Sequence, residues 1–216
     1  KKYNIPDGSE VIVPAATFAT VSMPIIQLGL IPVYVDVCRD TLNIDPIQVE
    51  ASINDKTRIL MPVHTLGLPA QMLELKIIAE KKNLIILEDC CEAHGSRIGD
   101  KKVGSFGQVS TFSFFVAHNM TTGEGGMIVT NDNEIADICK SLREFGRFSQ
   151  KNLSENRYYS DSHLKDYDKR YVFSQLGYNL RMTDIAAGFG LAQMKKLNDM
   201  NDRRRQNANF LQTLLI

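Results

Sequence analysis

Short apolar runs alternate with amphipathic stretches along the chain, and the alternation predicts strand and helix in turn. Glu10 to Ala15 reads as a buried strand closed by Pro14, and Thr17 to Leu28 as a short apolar helix ending at Gly29. A second strand, Ile31 to Val37, precedes a helix to about Ile53 with Asp45 as N-cap and Pro46 at its first position. Thr57 to Val63 is a strand, Leu68 to Lys82 a helix and Leu84 to Asp89 a strand. Such an order implies an α/β fold with a mainly parallel sheet and flanking helices. In sheets of that kind ligands sit beyond the carboxyl ends of the strands. Thr17 and Phe18, His64, Asp89, and Ser113 through His118 all fall at such ends.

The pattern changes between Gly107 and Asn131. Val109 to Val116 reads as a buried strand that runs into a polar turn, and Met127 to Thr130 as the returning strand. The turn gathers Ser113, His118, Asn119, Thr121, Thr122 and Glu124 beside Gly123, Gly125 and Gly126, whose missing side chains let backbone approach a ligand. Downstream, a helix spans about Glu134 to Glu144, with Ile135, Ile138 and Leu142 at helical spacing. Phe145 to Lys169 is polar and loop-like, with Tyr158, Tyr159 and Tyr167 close together and His163 among them. A last apolar helix follows Thr183, its N-cap, with a stripe of Ile185, Phe189, Ala192 and Met194.

Asp89 ends the strand L-I-I-L-E-D, where a carboxylate is costly to bury unless a cation meets it. Taken alone, it is an N-cap or the partner of Arg97. Phe18, taken alone, is a core residue, and Ser113 a tolerated strand serine.

Composition narrows the function classes. The 216 residues hold 25 Lys+Arg against 25 Asp+Glu, so no overall field favours nucleic acid, and Arg203 to Arg205 reads as a solvated helix face. No apolar run approaches the roughly 18 residues of a membrane span, and no signal-peptide pattern opens the chain, which makes cytoplasm the expected location. Cys38, Cys90, Cys91 and Cys139 lack C-x-x-C spacing and read as packed thiols rather than metal ligands.

The run S-F-F-V-A-H-N-M-T-T-G-E-G-G, from Ser113 to Gly126, resembles the signature of the DegT/DnrJ/EryC1/StrS family, the pyridoxal-phosphate-dependent nucleotide-sugar aminotransferases of fold type I. The family has a Schiff-base lysine where this chain has His118, and no lysine lies between Lys102 and Lys140. Imidazole cannot replace that primary amine. The same exchange marks a subset of the family, the pyridoxamine-phosphate (PMP) dependent sugar 3-dehydrases, and the resemblance makes His118 a base. E-D-C-C-E-A-H-G resembles the family motif whose aspartate pairs with the cofactor's pyridine nitrogen, which assigns that role to Asp89 and a place near the ring to Glu92. P-A-A-T-F-A-T resembles the segment whose aromatic residue, here Phe18, stacks on the ring. Ser113 matches a serine that hydrogen-bonds the cofactor. His64, in P-V-H-T-L-G-L-P, resembles the H-x-x-G turn and either walls the site or caps the turn.

G-Y-N-L-R-M-T-D-I-A-A-G-F-G-L-A-Q also resembles a family run, in which the residue matching Asn179 reaches the cofactor phosphate of a neighbouring subunit. That implies a homodimer; the alternative is an asparagine that stabilises a turn through positive φ. One dehydrase branch carries cysteines for an iron-sulfur cluster in the stretch corresponding to Phe145 to Lys169, whereas Cys139 is the last cysteine here. The chain starts without methionine and stops in an apparent helix. With the resemblance, this gives the expectation that residues 1–216 are the central part of the cofactor-binding large domain, an N-terminal segment and a C-terminal small domain being missing. The implied function is C3 deoxygenation of a nucleotide-activated 4-keto-6-deoxy sugar in lipopolysaccharide or other deoxysugar biosynthesis. PMP or pyridoxal phosphate (PLP) would be the cofactor and an amino acid such as glutamate the amino donor. The alternatives are an aminotransferase of the same family and an inert paralogue with an assembly or regulatory role.

Overall fold

The computed structural model describes residues 2–147, 168 and 171–215. The described residues fall into two compact units, one made of Tyr3–Val129 and the chain from Asp184 on, the other of Lys2 and Thr130–Thr183.

The larger unit is built on a six-stranded sheet. Its strands are β1 (Glu10–Pro14), β2 (Ile31–Val35), β3 (Thr57–Leu60), β4 (Ile85–Asp89), β7 (Val109–Ser113) and β8 (Gly126–Val129), in the order β2-β1-β3-β4-β7-β8. The first five run parallel, and β8 returns antiparallel to β7, with Thr111 opposite Ile128. A two-stranded ribbon, β5 (Arg97–Ile98) with β6 (Lys101–Lys102), has no counterpart in the apolar pattern, because four residues of mixed polarity have no detectable period. Helices α1 (Met23–Gln27), α2 (Pro46–Ser52) and α3 (Met72–Lys82) connect the strands, and α5 (Asp184–Met194) and α6 (Leu197–Leu215) close the unit's sequence. Among the described residues, no helix is long and apolar enough to cross a membrane.

Local chemistry sets these boundaries. The Asp45 carboxylate accepts from the Ile47 amide at 2.9 Å, so the expected cap and Pro46 do start α2. Asn83 takes a left-handed conformation with φ 55° and stops α3 behind Lys81 and Lys82, cations suited to a helix C-terminus. The expected helix Thr17 to Leu28 divides instead into a 3₁₀ turn at Ala19–Val21 and α1. Pro24 accounts for the break, since it has no amide to donate. Ile12, Ile44, Val49, Leu60, Met72 and Leu75 form the fully buried centre, where sheet and helices meet.

In the smaller unit, α4 (Asn133–Arg143) begins at Asp132, whose Oδ1 accepts from the Glu134 and Ile135 amides at 3.0 and 3.1 Å. Tyr158, Tyr159, Tyr167 and His163 lie outside the described residues.

Candidate active site

Parallel β1, β3, β4 and β7 deliver their carboxyl ends to one side of the sheet, and the candidate residues follow those ends. Asp89 is the last residue of β4 and only 9% exposed. Its Oδ1 accepts from the Cys91 amide at 3.0 Å, which settles the local turn. Arg97, the possible partner, gives its guanidinium to the Asp100 carbonyl, and no ion pair to Asp89 exists among the described residues. A buried carboxylate without a cation is energetically unfavourable, so the site suits a cationic ring nitrogen.

His118 sits in the turn after β7. Its Nδ1 lies 2.5 Å from the Cys91 carbonyl oxygen. A carbonyl only accepts, so Nδ1 carries the proton, and in the neutral ring Nε2 keeps its lone pair. The turn is held by its own polar groups: Thr121 Oγ1 and the Thr122 amide both donate to the Phe114 carbonyl, and Thr122 Oγ1 donates to the Glu124 carbonyl. The Phe115 ring stands edge-on to His118, with centroids 6.0 Å apart. Ser113 Oγ accepts from the Phe115 amide at 3.2 Å, leaving its hydroxyl proton for another acceptor.

Phe18 is 76% exposed at the turn after β1, so it is not a core residue, and its face is open to a ring. Glu92 accepts from the Leu66 amide at 2.6 Å and thereby holds the turn where Leu66 has φ 52°. Asn179 belongs to the smaller unit, where it is exposed, forms an antiparallel bridge with Glu144 and accepts from Arg181 Nε at 3.2 Å. Its φ is not positive, which removes the turn explanation for the asparagine.

His64 is fully buried and does not wall the site. Its Nδ1 accepts from the Ala70 amide at 3.0 Å, so Nε2 bears the proton and donates to Glu88 at 3.2 Å. Glu88, the residue before Asp89, carries much of the local structure. One oxygen accepts from His64 and the Gly104 amide, the other from the Phe106 and Gly107 amides. Burial pushes the Glu88 carboxyl up, but the bonds from His64, Gly107 and Gly104 outweigh it and hold the group below its ordinary range. The signal available in the sequence was an acid inside an apolar strand with glycines downstream. His64, Glu88 and Cys90 bring nitrogen, oxygen and sulfur within 4.8 Å of one another. The His64 and Glu88 atoms are engaged in hydrogen bonds, and burial pushes the Cys90 thiol far up.

The sequence profile of the DegT/DnrJ/EryC1/StrS aminotransferase family matches residues 1–216. The chain belongs to that family. It is 41% identical over 211 residues to lipopolysaccharide biosynthesis protein RfbH of Salmonella typhimurium, covering 94% of this chain and 48% of that protein. Among solved structures, the E. coli GDP-4-keto-6-deoxy-D-mannose-3-dehydratase with bound hydrated PLP superposes with a TM-score of 0.86 at 35% identity, covering 97% of this chain and 54% of that one. An aminotransferase from Psychrobacter cryohalolentis superposes with a TM-score of 0.82 at 34% identity, covering 91% and 48%. The chain thus spans about half the length of the relatives it matches. Dehydratase and aminotransferase lie at nearly equal distance, so the choice between them rests on the residues of the site.

Proposed function

We propose that the protein of which this chain is part removes the C3 hydroxyl of a nucleotide-activated 4-keto-6-deoxy sugar, with His118 as its base. The observation that carries the reading is the fixed imidazole: Nδ1–H is engaged by the Cys91 carbonyl, and Nε2 has no hydrogen-bond partner among the described residues, at the position where the family signature has lysine. The family and the PLP-bound neighbour support a pyridoxal or pyridoxamine phosphate cofactor. When bound, the amine form would supply the nitrogen that condenses with the C4 ketone and a ring that accepts negative charge. Asp89 would hold the ring nitrogen, Phe18 would cover a ring face, and Ser113 would donate its hydroxyl. Glu92 would steady the adjoining wall through Leu66. His118 Nε2 would take up the proton whose loss precedes departure of the C3 hydroxyl, the work of a positioned general base. Asn179 would serve the partner subunit's cofactor in a homodimer, and glutamate would restore the amine form.

The family's aminotransferase activity is the second reading, favoured by the Psychrobacter neighbour. Incubating the full-length protein with PMP and a nucleotide 4-keto-6-deoxy sugar separates the two. A 3-deoxy sugar is the expected product; a 4-amino sugar formed in its place overturns the dehydrase reading.

A further inference from the structure

We propose that α6 is a clamp that positions the His118 ring, with Asn201 and Arg204 as positioning residues for the reaction. The His118–Cys91 hydrogen bond joins two separate pieces of backbone, the turn after β4 and the turn after β7. One helix holds both pieces. Asn201 Nδ2 donates to the His94 carbonyl at 2.8 Å, three residues beyond Cys91 in the first turn. Arg204 Nη2 donates to the Asn119 carbonyl at 3.4 Å, one residue beyond His118 in the second. Arg204 Nη1 also donates to Asn201 Oδ1 at 3.2 Å, which makes the two donors a single unit.

The approach of α6 to the first turn is close enough to dictate a residue. A Cβ on Gly95 would lie 2.9 Å from Asn201 Nδ2, and Gly95 has φ +90°. The His94 side chain, 6% exposed, packs the first turn against β7 and the residues after it, with its ring 5.2 Å from Phe112 and 5.6 Å from Phe114. Burial in that aromatic setting holds His94 below its ordinary range, opposed by Asn119 and assisted by the nearby His118, so it remains a neutral spacer at neutral pH. The two turns joined by the His118–Cys91 bond are therefore each held by α6, and the first is also packed through His94 against Phe112 and Phe114. A general base must stay within hydrogen-bond reach of its proton, and displacement of about 1 Å can cost about a hundredfold in rate.

This inference rests on the reading of His118 as the base, and its test separates the two. In the full-length enzyme, Asn201→Ala with Arg204→Met should lower kcat about 10- to 100-fold. KM and PMP affinity should hold, and so should the melting temperature, because Arg204 is exposed. Nitrogen-15 NMR of labelled histidine should show His118 leaving the Nδ1–H form for a mixture of tautomers. Arg204→Lys, which retains a donor, should restore much of the loss. A His118 that stays Nδ1–H at parental kcat overturns the clamp, as does a joint fall of kcat, substrate affinity and melting temperature. A tautomer change in an enzyme that releases 4-amino sugar leaves the clamp standing and removes the dehydrase assignment.

Discussion

The Nδ1–H of His118 donates to the Cys91 carbonyl across 2.5 Å, so the orientation of the candidate base is set by a backbone atom rather than by an acidic side chain. No carboxylate engages the imidazole through this bond. Replacing His118 by Ala should then lower turnover by about 10² to 10⁴, the usual contribution of a positioned general base. PMP binding, measured by equilibrium dialysis, should survive; a variant that keeps parental turnover would show that another group takes the proton.

Among the described residues Asp89 is buried without a cation, and its Oδ1 accepts from the Cys91 amide. Asp89→Asn should weaken PMP retention and slow turnover by several orders of magnitude, because base and electron sink act on the same proton. Single-turnover kinetics at saturating PMP separate the effects: recovery of the full rate at saturation would confine Asp89 to binding.

Glu88 makes a different prediction. Glu88→Ala removes the acceptor of His64 and of the Gly104, Phe106 and Gly107 amides in a fully buried setting, which should cost about 3–5 kcal/mol in urea denaturation. A loss below about 1 kcal/mol would show that water replaces those bonds. Acid sensitivity follows from the signs. The folded-state pKa of Glu88 lies below its ordinary 4.5, so its stabilisation is present above that value and is lost as pH falls through the lower one. His94 is also held below its ordinary 6.5, so the unfolded chain takes the proton first and stability declines as pH drops beneath 6.5. His94→Phe should flatten the upper part of that decline and leave the Glu88 part.

The succession of strands along the chain and the position of Asp89, Ser113 and His118 at or just beyond strand ends were readable because apolar runs and polar strand ends are local signals. The start of α2 at Asp45 and Pro46 was readable for the same reason. What escaped depends on distant backbone: the Cys91 carbonyl under His118, the Gly104–Gly107 amides around Glu88, and the Ala70 amide that turns His64 inward. A sequence shows side chains, and these partners are main-chain atoms brought near by folding.

Asn179 is exposed, lacks positive φ, and so has no local reason to be an asparagine beyond its contact with Arg181. If it serves a second subunit, the full-length enzyme should be a dimer whose PMP affinity falls on dilution, by mass action on the interface. Sedimentation alongside fluorescence titration checks this. A monomer with undiminished affinity would remove Asn179 from the site.

The choice between dehydrase and aminotransferase turns on the atom at position 118. Imidazole offers no primary amine, so PLP should bind His118 enzyme without a covalent link, and borohydride should leave no cofactor on the peptide from Phe112 to Glu124. Replacing His118 by Lys supplies the amine. The Lys variant should retain PLP covalently, turn yellow, and divert the 4-keto sugar towards the 4-amino product. It also loses the ring that bonded the Cys91 carbonyl, so the new side chain is free to reach the cofactor rather than held beside β4. Mass spectrometry of the borohydride-treated peptide and chromatography of the sugar products read the two effects separately. If the Lys variant still releases 3-deoxy sugar at the parental rate, position 118 does not control the proton, and the base lies elsewhere in the full-length protein.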